Sequence, residues 1–68
     1  MVVNKLLKKI PDNEVGMVTY KCLNGNIYKL TQNQTNKMFT IYKVIDDCFE
    51  RLGKGASPTT LEEKYIKK

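Results

Sequence analysis

Few residues in this chain can do chemistry, and the absences narrow the field first. There is no histidine. That removes an imidazole base, a Ser/His or Cys/His nucleophile pair and an imidazole metal ligand. Cys22 and Cys48 are the only thiols, too few to hold zinc without histidine partners. Both fall in segments that alternate like strands, Cys22 on an apolar face, so they read as small core residues rather than activated nucleophiles. Asp46, Asp47 and Glu50 offer three carboxylates to a cation, but adjacent aspartates between two apolar runs are ordinary turn formers. Gly53-Lys54-Gly55 resembles part of a phosphate loop. The match fails, because no glycine stands five residues before Gly53 and no Ser or Thr follows Lys54. The expectation is a non-enzyme with no cofactor and no metal.

Two groups remain that suit binding. Lys5, Lys8 and Lys9, with Lys64, Lys67 and Lys68, form one basic patch if the two terminal helices expected below lie side by side. Lysine contacts to phosphate give affinity without sequence reading. Tyr42, Phe49 and Arg51 fall on one face of a hairpin, where they suit a stacking platform or a partner surface. The competing reading of Tyr42 and Phe49 is core packing under a helix.

The chain has 68 residues, 12 basic and 7 acidic, for a net charge of +5. Eleven of the twelve bases are lysine and only Arg51 is arginine, with six asparagines beside them. Lys and Asn together are what an AT-rich coding sequence supplies, which points to a low-GC bacterium or its phage. Phosphate binders that use bidentate geometry favour arginine, so the basicity is weak support for nucleic acid. The charge also sits at the ends: residues 1 to 10 carry +3, residues 11 to 50 four bases against five acids, and residues 51 to 68 carry +3. No apolar run approaches the roughly 18 residues of a membrane span, and Asn4 and Lys5 break the early apolar residues where a secretory signal needs them continuous. A cytoplasmic chain with two reduced thiols is expected, and the sequon Asn33-Gln34-Thr35 then has no role.

The elements that must position these groups follow from periodicity. Val3, Leu6, Leu7 and Ile10 recur at helical spacing among lysines, predicting a short helix over residues 2–10 that Pro11 ends. From Glu14 the period becomes 2. Asn24-Gly25 signals a hairpin, and a three-residue loop of Leu23 to Gly25 sets Tyr20 opposite Tyr28 and Val18 opposite Leu30, gathering one apolar face. Gln32 to Lys37 is a polar turn. Residues 38–45 are apolar on both faces, as a covered central strand requires. With Asp46-Asp47 as a tight loop, Lys43 faces Glu50, Tyr42 faces Arg51 and Ile41 faces Leu52. Gly53 to Ala56 reads as a linker. Ser57 then suits an N-cap, Pro58 the first turn, and Glu62 and Glu63 the positive end of a helix over residues 58–67.

The expected fold is α+β: one small domain over residues 1–68, a four-stranded antiparallel β-meander over residues 14–54, with a short N-terminal helix and a C-terminal helix packed on it. A domain this small has little volume for a substrate pocket. The expected function is therefore that of an accessory or regulatory protein acting by protein–protein contact or self-association, such as a phage or mobile-element inhibitor or adaptor of a host protein. The alternative is a small basic nucleic-acid-binding protein using the lysines of the two terminal helices.

Overall fold

Turn chemistry and strand alternation together lay down an antiparallel sheet, which the computed structural model describes over residues 6–67. The strands are β1 (Leu6–Leu7), β2 (Glu14–Lys21), β3 (Ile27–Asn33), β4 (Phe39–Ile45) and β5 (Cys48–Gly55), followed by α1 (Pro58–Leu61) and a π-helical turn over Glu62–Ile66. Their spatial order is β1-β5-β4-β3-β2, each neighbour antiparallel. Two expectations are corrected. Among the described residues the sheet has five strands rather than four, and residues 6–10 of the expected N-terminal helix are strand and bend, not helix.

The lost helix has a physical cause. Nine residues cannot hold a helix alone in water, while the outer side of β5 carries unpaired backbone groups. Leu6 and Leu7 satisfy some of them by pairing with Glu50 and Phe49. Residues 2–5 of that expected helix, Lys5 among them, lie outside the described residues.

The first hairpin has the expected register. Val18 lies opposite Leu30 and Tyr20 opposite Tyr28. The Cys22 amide donates to the Asn26 carbonyl at 2.9 Å, leaving Leu23 to Gly25 as the loop. Gly25 has φ of 92°, a left-handed value that costs glycine nothing and other residues about 1 kcal/mol. The second hairpin turns on Asp46 (φ 49°) and Asp47 (φ 66°), the two positive angles of the tight turn that matches strand twist. Lys43 faces Glu50 and Tyr42 faces Arg51 as expected, but Ile41 faces Gly53 rather than Leu52. A bulge between Ile41 and Tyr42 makes the difference, because one extra residue on β5 shifts every later pair. The expected linker at Gly53 is strand as far as Gly55.

Between β3 and β4 the polar residues are consumed by the turn itself. The Asn33 side chain accepts from the Thr35 and Asn36 amides at 2.8 and 3.1 Å, and Asn36 accepts from the Met38 amide at 2.9 Å. Asn33 of the sequon is thereby a turn former.

Helix and π turn cover one face of the sheet. Leu61, 2% exposed, packs with Tyr28, Leu30 and Ile41, and Tyr20, Cys22, Phe39, Leu52, Tyr65 and Ile66 close around them. Burying one leucine this completely stabilises by about 1.5 to 3 kcal/mol. The expected helix over 58–67 is thus half α and half π, the Lys67 amide reaching back to the Glu62 carbonyl. Ser57 stands at the N-cap with extended backbone but makes no side-chain capping bond.

Gly53 and Tyr65 explain the close approach of the π turn. A Cβ on Gly53 would lie 2.7 Å from the Tyr65 Cζ, so only glycine lets that ring reach the sheet. Cys22 and Cys48 are both free thiols. Cys22 follows the last residue of β2 and Cys48 opens β5, three strand spacings or about 14 Å apart across the sheet, too far for a disulfide. No described helix is long and apolar enough to cross a membrane.

Candidate functional site

Beneath the face opposite α1 lies a polar cluster built on Glu14. Its Oε1 accepts from the Thr31 hydroxyl at 2.8 Å and from the Tyr42 hydroxyl at 2.6 Å. The Arg51 guanidinium lies 4.0 Å from the other oxygen, and the Glu14 side chain is 6% exposed. Cross-strand register assembles the group: Thr19, Lys29, Tyr42 and Arg51 form one row across four strands, and Glu14 enters from the start of β2. Burial, then the bond to Glu14, push the Tyr42 phenol above its ordinary pKa.

The structure therefore brings Tyr42, Phe49 and Arg51 together. The Phe49 ring meets Tyr42 edge-on with centroids 6.2 Å apart, and Arg51 stands 5.9 Å from the Tyr42 centroid. The Tyr42 ring, however, has no exposed surface. Its two faces are occupied by protein, and its hydroxyl is committed to Glu14. Arg51 itself is exposed. The row is a packed and hydrogen-bonded interior with a charged rim.

The terminal lysines are dispersed over different elements. Lys8 and Lys9 lie in the bend after β1, with Lys9 3.6 Å from Asp12. Lys64 stands over the Tyr65 ring at 5.5 Å, and Lys67 is 3.8 Å from Glu62. Lys5 and Lys68 lie outside the described residues. Among the described residues only the C-terminal one of the two expected helices is formed.

Tyr20 links the edge of the sheet to the helix by donating its hydroxyl to Glu62 Oε2. Burial, then that bond and the charge of Glu62, raise its pKa from 10.0 to about 12.

The outer side of β2 is one of the open edges that a meander leaves, and what sequence reading missed is how much apolar surface it exposes. Among the described residues no strand pairs with it. Five large apolar side chains are exposed among the described residues: Leu6, Val15, Met17, Val18 and Leu23. All but Leu6 belong to β2 or the loop that ends it. The meander order makes β2 an edge, so Val18 is 44% exposed despite facing Leu30 across the pair. Because the Cys22 amide points at β3, alternation turns the amides and carbonyls of Thr19 and Lys21 outward. A bulge at Met17, between Gly16 and Val18, interrupts the ladder.

Among the described residues no group of three or more acidic or thiol side chains is arranged to hold a metal. Comparison with protein-family models, with curated proteins and with solved structures found no match to this chain.

Proposed function

We propose that the protein works by protein–protein contact, as a small non-enzymatic accessory or regulatory module in the cytoplasm whose β2 edge accepts an extended segment of another chain. One observation carries this reading: among the described residues, four of the five exposed large apolar side chains lie on β2 and its loop. Strand addition at such an edge draws affinity from main-chain hydrogen bonds and selectivity from the side chains beside them. The +5 charge and the Lys- and Asn-rich composition suit an accessory protein of a low-GC bacterium or its phage. Phosphate contact by the terminal lysines has less support, since it needed two helices on one face and only one helical segment is formed among the described residues.

The test uses a variant that blocks the edge without touching the fold. The Thr19 amide points away from β3, so Thr19→Pro removes no internal hydrogen bond while placing a ring where an incoming strand must bond. Wild type and Thr19→Pro would each be immobilised and exposed to a lysate of a low-GC bacterium. The expected result is at least one protein held by wild type and lost from the variant. Identical retained sets, with the variant still folded by circular dichroism, would refute the edge as the working surface.

A further inference from the structure

The two faces of the β2 edge differ in chemistry, and the difference specifies its occupant. Val15 and Val18 share the face on which Leu30 and the helix lie, and Met17 at the bulge adds to them. The other face carries Gly16, Thr19 and Lys21, paired with Thr31, Lys29 and Ile27. Gly16 has no side chain, and Lys29 uses the space: a Cβ on Gly16 would lie 2.8 Å from the Lys29 Cε and 3.5 Å from its Nζ. The Lys29 ammonium is therefore held over the edge strand itself, although Lys29 belongs to β3. With Lys21 it gives this face two cations, and among the described residues neither makes an ion pair.

We infer that the β2 edge binds an extended segment alternating apolar and acidic residues, the apolar side chains continuing Val15, Met17 and Val18 and the carboxylates meeting Lys29 and Lys21. This rests on the edge-binding reading above and names the chemistry of the strand that binds. A period of two puts all apolar residues of such a segment on one face and all carboxylates on the other. A second copy of this chain is a poorer fit. The sole acid of β2 is Glu14, whose carboxylate is 6% exposed and already bonded to Thr31 and Tyr42 and paired with Arg51. Two copies would bring lysines to lysines.

Three soluble eight-residue peptides test it, each with valine at alternate positions and Glu, Gln or Lys at the others. Binding would be followed by amide shifts in isotope-labelled protein at low salt, with sedimentation of the protein alone alongside. Two exposed ion pairs favour the Glu peptide over the Gln peptide by about two- to thirtyfold. The shifts should centre on Gly16 to Lys21, and the preference should shrink at 0.5 M salt, where the screening length falls to about 4 Å. Lys21→Gln/Lys29→Gln should abolish the preference without abolishing binding. Gly16→Ala, which displaces the flexible end of Lys29, should reduce it while leaving both charges in the chain. Equal binding of the Glu and Gln peptides at β2 overturns this inference and leaves edge binding intact, and so does a wild-type dimer broken by Thr19→Pro. No shift at β2 with any peptide overturns the inference, and with it the edge-binding reading if the lysate experiment is also negative.

Discussion

Replacing Glu14 with alanine should bring the protein to the margin of unfolding, and the size of the effect can be worked from its partners. The carboxylate accepts from two hydroxyls, those of Thr31 and Tyr42, whose residues are both 0% exposed. A buried hydroxyl left without an acceptor costs about 1 to 3 kcal/mol. Thr31 can turn its hydroxyl toward a neighbouring backbone carbonyl, so the pair together should lose about 2 to 4 kcal/mol rather than the full sum. A domain of this size has only about 3 to 5 kcal/mol in hand. With a urea slope near 1 kcal/mol per molar, the midpoint should fall by about 2 M or more. Glu14→Gln keeps an oxygen where both hydroxyls donate and gives up only the Arg51 contact of the other, so it should lose well under half as much. Tyr42→Phe alone should cost about 1 kcal/mol; combined with Glu14→Ala it should add little, a coupling above about 0.5 kcal/mol. Urea titrations followed by circular dichroism give all four values. A midpoint shift under about 0.5 M for Glu14→Ala, or strict additivity with Tyr42→Phe, would show that the cluster does not hold the β2 start to the sheet.

Three further outcomes are expected. Tyr20 is more readily ionised unfolded than folded, its pKa rising from 10.0 to about 12 on folding; its contribution is present in full below pH 10 and lost as pH rises toward 12. Urea midpoints at pH 9 and pH 11 should therefore drop further for wild type than for Tyr20→Phe, and parallel drops would remove the Glu62 bond from the argument. Gly53→Ala should cost about 1 to 3 kcal/mol by driving a methyl group into the Tyr65 ring, and Gly53→Ala/Tyr65→Leu should regain part of it in the same thermal melt. Gly25→Val should cost about 1 kcal/mol or more from backbone alone, since no atom lies within 4 Å of the added Cβ; a neutral result by thermal denaturation would mean that the loop has another conformation.

The parts of this fold that could be read from the sequence are those governed by short-range rules. Asn24-Gly25 and Asp46-Asp47 fix two loops, and with alternating apolar residues they fix the pairs Tyr20–Tyr28 and Tyr42–Arg51. The N-terminal strand was not readable for the same reason. Leu6, Leu7 and Ile10 fit a helical spacing, and nothing local reveals that β5 offers an open side to which Leu6 and Leu7 can bond. The extra residue at Leu52 leaves no mark in periodicity either, because Gly53 and Gly55 have no side chains to show which face they occupy. The Glu14 cluster is half legible: the register places Tyr42 beside Arg51, but nothing local shows that Glu14 reaches them from the start of β2. The open β2 edge follows from meander order alone. What sequence conceals is the consequence, that Val15 and Val18 stay in water while equally apolar Leu30 and Ile41 are buried.

Amide exchange along β2, measured in dilute protein, bears most directly on the claim that this strand is an open edge in the stated register. The Tyr20 and Cys22 amides, which point at β3, should be protected, while those of Thr19 and Lys21, which point to solvent, should exchange near the unfolded rate. Protection that alternates residue by residue is the expected result. Equal protection of Thr19, Tyr20 and Lys21 at dilutions where the chain sediments as a monomer would contradict it, because another part of the same chain would then already occupy the edge.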